Sequence, residues 1–221
     1  RAGLPPGVLN LLVASSSDVG DIITRDPRVR GVSFTGSSEN GTQIYTACAA
    51  RGVKAQCEMG GKNAVIVMAD ADLDKAAVAI HGGAFGSTGQ RCTATSRVIV
   101  APSVKDKLLE RLVEGAQKIK LGSGLDETVD MGPAVDEKQW KTDLDYLRIG
   151  SEEGARLVIG GKRPEYLAKG YFVEPTIFDN VGPDMRIFKE EIFGPVLSVT
   201  TAKSLEEALQ FANGVEYGLT T

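Results

Sequence analysis

Short runs rich in valine and isoleucine recur between stretches of helical periodicity, and no other feature of the chain restricts its architecture as much. The runs GVLNLLVA (7–14), GVSFTG (31–36), VKAQCEMG (53–60), NAVIVM (63–68) and SRVIVA (96–101) are apolar, and glycine or proline bounds them as it bounds buried strands. Between them the spacing of apolar residues predicts helices over 37–51, 71–87, 103–119 and 136–153. The second has Asp70 or Asp72 available as its N-cap. GYFVEPTIF (170–178), GPVLSVTTA (194–202) and the helix-like SLEEALQFANG (204–214) continue the pattern. Alternation of this kind implies α/β layers around a mostly parallel sheet. The glycine pair in EMGGKN is the expected boundary between two blocks, residues 1–59 and 60–221.

Composition narrows the function classes. A chain of 221 residues can bury a substantial core, and 42% hydrophobic with 24% charged residues is ordinary for a soluble globular protein. A net charge of −4 without a basic run argues against a nucleic-acid partner. No apolar stretch approaches the roughly 20 residues that span a bilayer, and no signal peptide is visible. Cys48, Cys57 and Cys92 are odd in number and lack CxxC spacing. That favours a reducing, cytoplasmic setting over a disulfide scaffold, and no metal site is expected. The chain opens on a turn leading into an apolar run and stops just after a helix-like segment, so both ends read as cuts through a larger protein.

Three stretches could carry chemistry. In SFTGSSENGTQIY, Gly36 and Gly41 stand where a strand gives way to a helix, a place where backbone N–H groups can approach a phosphate. The spacing resembles a P-loop, but Thr42 occupies the lysine position, and Ser37 or Ser38 could simply cap the helix. In QCEMGGKN, Glu58 ends an apolar strand. If it is partly desolvated its pKa rises, which suits a general base; the other reading is a strand-end glutamate that faces water. Cys57 should point to the opposite face as a small core residue. In FGSTGQRCTATSR, Cys92 lies in a polar, glycine-containing loop between Arg91 and Arg97, the kind of setting that favours a reactive thiolate. His81, the single histidine, lies on an apolar helix and reads as structural.

The stretches FTGSSENG, EMGGKNAVIV, GSTGQRCTA and EEIFGPV stand in an order and spacing that resemble the aldehyde dehydrogenase superfamily, and AGLPPGVLN and GYFVEPTIF add softer matches. The resemblance runs essentially end to end. It implies the later part of a Rossmann-like cofactor domain (1–59) and most of an α/β catalytic domain (60–221). Cys92 would attack an aldehyde, hydride would pass to NAD or NADP, and Glu58 would activate the water that releases a carboxylic acid. Gly36, Ser37 and Gly41 would lie along the cofactor diphosphate. Glu191 would bind the nicotinamide ribose, with Phe193 packing nearby. The family's oxyanion asparagine and its adenosine-ribose contacts fall upstream of residue 1, so this piece leaves NAD and NADP undistinguished. LLVASSS also lacks the family's V-x-G turn near the adenine.

The resemblance further implies a homo-oligomeric parent acting on a small-molecule aldehyde. GQRCTA preceded by EMGGKN looks most like members of the α-ketoglutarate semialdehyde type, although a generic aliphatic aldehyde stays open. Arg91 or Arg97 could clamp a substrate carboxylate or could point into the scaffold. Two other readings are a cofactor-independent cysteine hydrolase using Cys92, and a truncated domain without turnover of its own.

Overall fold

The structure is a computed structural model that describes residues 3–220. The chain divides into two compact units, Arg1–Met59 and Gly60–Thr221.

The first unit contains helix α1 (Ser16–Arg25), strand β1 (Gly31–Thr35), helix α2 (Ser38–Ala50) and strand β2 (Lys54–Glu58). β1 and β2 pair in parallel, with Thr35 opposite Glu58. α2 starts where Ser37 accepts a hydrogen bond from Asn40 N at 3.3 Å. Arg51, just past its end, donates to the carbonyls of Thr24 and Asp26 and so ties α2 to the end of α1.

The run 7–14 is not a strand. It has no sheet partner among the described residues, and Leu11 and Val13 are 91% and 90% exposed. An apolar run becomes a strand only where neighbours take its N–H and C=O groups, and in this unit β1 and β2 pair with each other alone. α1 was not foreseen. Its start, SSSDVG, holds a single apolar residue, so the helical spacing of Val19, Ile22 and Ile23 is too short to stand out.

The second unit is a five-stranded sheet in the order β3-β4-β7-β6-β5. Its strands are β3 (Asn63–Val67), β4 (Thr95–Val100), β5 (Arg156–Ile159), β6 (Thr176–Asp179) and β7 (Val196–Thr201). All neighbours run parallel except β5, which is antiparallel to β6. Helices α3 (Leu73–Phe85), α4 (Lys105–Lys118), α5 (Glu137–Glu152), α6 (Arg186–Lys189) and α7 (Leu205–Asn213) cover it. Asp72 caps α3 by accepting from Lys75 N at 3.1 Å.

The sheet is buried on both faces, which is why β4 reads as an unbroken apolar run. Val98 and Val100 pack with Ile80 of α3 and Leu112 of α4, whereas Ile99 packs with Ala208 and Ala212 of α7. Each of these valines, leucines and isoleucines contributes roughly 1.5–3 kcal/mol by leaving water. Of the stretch 170–178, only its last residues join the sheet, as part of β6. β5 and the single turn of α6 are too short for their patterns to stand out in the sequence.

Candidate active site

Cys92 sits on a turn that leaves the end of α3 and enters β4. The helix stops at Phe85, and Gly86–Gly89 form a 3-10 turn in which Ser87, Thr88 and Gly89 have φ of 54°, 61° and 68°. Left-handed backbone is unusual for serine and costly for β-branched threonine, so the surroundings must hold it. They do. Buried Thr88 donates through Oγ1 to Gly132 O at 3.1 Å. Gln90 accepts from Val135 N at 2.8 Å and donates to Pro133 O at 3.3 Å. Gly89 is glycine for a second reason, because a Cβ there would overlap the Gly194 carbonyl.

The turn then closes with Ala94 N donating to Arg91 O at 2.9 Å. Cys92 is half-buried and free, and no acceptor among the described residues takes its N–H. Of the other thiols, Cys48 is fully buried in α2. Cys57 is half-buried, with its Sγ 3.6 Å from Gly41 O.

Neither neighbouring arginine is a free clamp. Arg91 donates to Gly82 O at 3.0 Å, back onto α3. Arg97 is 2% exposed and spends its guanidinium on three carbonyls, those of Lys62, Phe211 and Ala212, at 2.8, 2.9 and 2.8 Å. It also stacks over Phe188, 4.7 Å from the ring centre. Burial pulls its pKa down to about 10.

His81 faces α4, with Nε2 3.5 Å from Arg111 O. It lines a cavity of about 360 Å³ between α3 and α4, whose lining does not include Cys92. Desolvation lowers its pKa, against the raising effect of the Arg111 and Leu112 carbonyls.

The motif GGKN before and within β3 meets the later loop EEIFGPV. Gly61 N donates to Glu191 Oε1 at 3.0 Å, and a Cβ on Gly60 would overlap the Glu191 carboxylate. Phe193 has φ of 62° and is 37% exposed. Behind this loop, Gln139 of α5 donates to Asp143 Oδ1 at 2.8 Å and to Ile192 O at 2.9 Å. Asp143 is fully buried. Burial pushes its carboxyl up to about 7, against the lowering effect of the Gln139 hydrogen bond.

Sequence reasoning passed over Gly61, Asn63, Gln90 and Asp143. The doubled glycine was the available signal for the first of these. The other three carry no pattern that separates them from ordinary polar positions.

In the first unit, Glu58 ends β2 with its side chain exposed and a 3.3 Å hydrogen bond from Gln56 Nε2. Of the two arrangements the sequence left open, the side chain takes the one that faces water. Cys57, on the other face, is half-buried as the alternation requires. Gly36 follows β1, and its N–H donates to Glu58 O at 3.1 Å. Gly41 is buried in the first turn of α2 against Met59 and Phe34, where a side chain has no room.

The model of the aldehyde dehydrogenase family matches residues 1–221. The chain belongs to the aldehyde dehydrogenase family. It is 52% identical to a 2,5-dioxopentanoate dehydrogenase of Saccharolobus solfataricus, over 100% of this chain and 46% of that one. It is 48% identical to an alpha-ketoglutaric semialdehyde dehydrogenase of Bacillus subtilis, over 99% of this chain and 45% of the relative. A crystal structure of betaine aldehyde dehydrogenase from Staphylococcus aureus, in complex with NAD+, superposes with a TM-score of 0.94 at 39% identity, covering 98% of this chain and 43% of the other. This aldehyde dehydrogenase chain therefore spans less than half the length of the relatives it matches, and its fold is theirs. Among its described residues no helix is long and apolar enough to cross a membrane, and no group of three or more His, Cys, Asp or Glu residues could hold a metal ion.

Proposed function

We propose that the longer protein to which these residues belong oxidises an aldehyde to a carboxylic acid with NAD or NADP, using Cys92 as nucleophile and Glu58 as general base. The observation that carries this reading is the Cys92 turn: a half-buried thiol on a loop strained through Ser87 and Thr88, beside a free backbone N–H. Backbone strain held in place by its surroundings is characteristic of functional loops.

The chemistry follows from these groups. The Cys92 sulfur bonds to the carbonyl carbon, and the Cys92 N–H stabilises the oxygen that becomes negative. A bound nicotinamide supplies one thing, acceptance of the hydride that leaves this carbon, which turns the adduct into a thioester. Glu58 takes a proton from water as its oxygen attacks the thioester. The carbon–sulfur bond then breaks, and the acid leaves.

The residues fit a dinucleotide. The N-terminus of α2, capped by Ser37, offers N–H groups to a diphosphate. Gly36, whose own N–H is taken by Glu58 O, lets the chain pass close to that group, and Gly41 supports the helix start by letting it seat on Met59 and Phe34. Glu191, turned by the Gly61 N–H, presents a carboxylate to ribose hydroxyls, with Phe193 beside it. On this reading residues 1–59 are the later part of the cofactor domain and residues 60–221 most of the catalytic domain. The free thiols suit a reducing cytoplasm, and the longer protein is taken to be a homo-oligomer. A cysteine hydrolase is not favoured, because His81 is turned to α4.

The substrate class proposed is a carboxylated semialdehyde. The relatives named for 2,5-dioxopentanoate and for alpha-ketoglutaric semialdehyde support it, these being two names for one compound. With Arg97 committed to carbonyls and Arg91 to α3, the carboxylate would be met by residues other than these two. The test is a panel of plain and ω-carboxylated aldehydes of equal length on the longer protein. Higher kcat/KM for the carboxylated members is expected, and equal or lower values would remove the semialdehyde assignment. Absence of cofactor reduction with every aldehyde would remove the activity itself.

A further inference from the structure

We propose that Asn63 is the positioning residue of the nucleophile turn, fixing the carbonyl side of Cys92 so that its sulfur and N–H present a single geometry to the reacting carbonyl. The inference rests on the nucleophilic role proposed for Cys92 above. Asn63 is 5% exposed and opens β3. Its Nδ2 carries two hydrogens, and both go to the turn: Cys92 O accepts one at 2.7 Å and Ala94 O the other at 2.9 Å. The orientation of the amide follows from this pair, because a flipped side chain would set its oxygen against two carbonyl oxygens.

The arrangement carries a cost. Asn63 Oδ1 is buried without a hydrogen-bond partner among the described residues, a loss on the order of 1–3 kcal/mol. An apolar side chain of similar size would avoid that loss but could not hold two carbonyls. The backbone around Asn63 is shaped to the same end. The β3–β4 ladder slips by one residue between Asn63 and Ala64, and Ser96 Oγ, at the slipped position, donates to Asn63 O at 3.2 Å. The Gly61 backbone lies against the same Cys92 carbonyl, where a Cβ would come within 2.6 Å. Other anchors hold Thr88, Gln90 and Arg91. Among the described residues only Asn63 reaches Cys92 itself with a side-chain hydrogen bond.

The test is iodoacetamide labelling of the 221-residue chain, with peptide mapping of Cys48, Cys57 and Cys92, wild type against Asn63→Ala. Cys57 is the internal control, fully buried Cys48 reports on the fold of the first unit, and the fluorescence of Trp140, the single tryptophan, reports on the fold of the second. Release of the turn should raise the Cys92-to-Cys57 rate ratio by at least about threefold while Cys48 stays protected. A ratio that stays within about threefold, or falls, overturns the proposal. So does acceleration of Cys57 in step with Cys92, since that is the mark of a merely structural residue. If Asn63→Ala shifts the Trp140 emission to that of the unfolded chain, Asn63→Ser takes its place under the same criteria.

A second arm uses the longer protein, where Asn63→Ala should lower kcat at least about tenfold and leave the calorimetric Kd for NAD within about twofold. An unchanged kcat overturns positioning. A wild-type protein inactive on every aldehyde overturns the functional reading instead, and the labelling ratio then decides on Asn63 alone.

Discussion

Gly61 and Glu191 are 130 positions apart in the chain, yet the Gly61 N–H holds one oxygen of the Glu191 carboxylate at 3.0 Å. Gly60 lies under the same carboxylate so closely that any side chain there would overlap it. The doubled glycine is thus a seat for an acid from a distant loop.

Gly60→Ala should therefore displace Glu191 without emptying the core. In the longer protein the Kd for NAD is expected to rise by about tenfold or more, roughly 1.4 kcal/mol. Isothermal titration of wild type and variant measures this directly, with Trp140 fluorescence as the check on folding of the second unit. Unchanged affinity would mean that Glu191 does not serve the cofactor.

Glu58→Gln keeps the shape of the side chain and removes its basicity. Because Glu58 is proposed to act on the thioester rather than on hydride loss, the longer protein should give a stoichiometric burst of reduced cofactor and then slow turnover. Stopped-flow absorbance at the reduced-nicotinamide band reads both phases. Steady-state turnover at the wild-type rate would assign the base elsewhere.

Asp143 and Lys62 make opposite contributions to stability with pH. Burial raises the Asp143 carboxyl from 3.8 to about 7. The unfolded chain therefore releases this proton first, and stability falls as pH rises from about 4 to about 7, then levels. Lys62 is 1% exposed and its Nζ has no hydrogen-bond partner among the described residues. Burial, then repulsion from Arg97, pulls it from 10.5 to about 7, against attraction from Glu191 and Glu190. The unfolded chain holds this proton longer, so stability rises between about pH 7 and 10.5 and the gain is lost on acidification. Asp143→Asn should remove the first slope and Lys62→Met the second, each worth at most roughly 4–5 kcal/mol across its window. Thermal melts of the chain at a series of pH values test both. Parallel profiles for wild type and either variant would show that the group does not titrate this way.

Arg97→Lys should cost about 2–4 kcal/mol, because an ammonium cannot satisfy three carbonyls spread around a planar fork, nor stack on Phe188 in the same way. A melting temperature lower by roughly 5–12 °C is expected by circular dichroism. A change of a degree or two would mean that the buried guanidinium contributes little.

What could be read from the residues and what could not divide along physical lines. β4 was legible because it is buried on both faces, so Val98, Ile99 and Val100 all had to be apolar. The caps were legible to within a pair, Ser37 or Ser38 and Asp70 or Asp72, because capping is local, a side chain bonding three positions on; the structure selects Ser37 and Asp72. The run 7–14 misled, since Leu9, Leu11 and Val13 give a strand's composition but composition cannot supply the neighbouring strand. Arg97 was left open between a clamp and the scaffold, and only its carbonyl partners at 62, 211 and 212 decide it. Asn63 could not be found at all, because its importance lies in two hydrogen bonds to residues about 30 positions away, and no periodicity encodes those.

The trident on Arg97 also sets an order of events during synthesis. Two of its three acceptors, Phe211 and Ala212, lie more than a hundred residues further on. Until α7 has emerged from the ribosome, β4 carries a cation that has no complete place to go, and the face of the sheet around Ile99 stays wet. The second unit therefore cannot mature gradually from its N-terminal end. Its interior around Arg97 stays half-built until α7 supplies the Phe211 and Ala212 carbonyls.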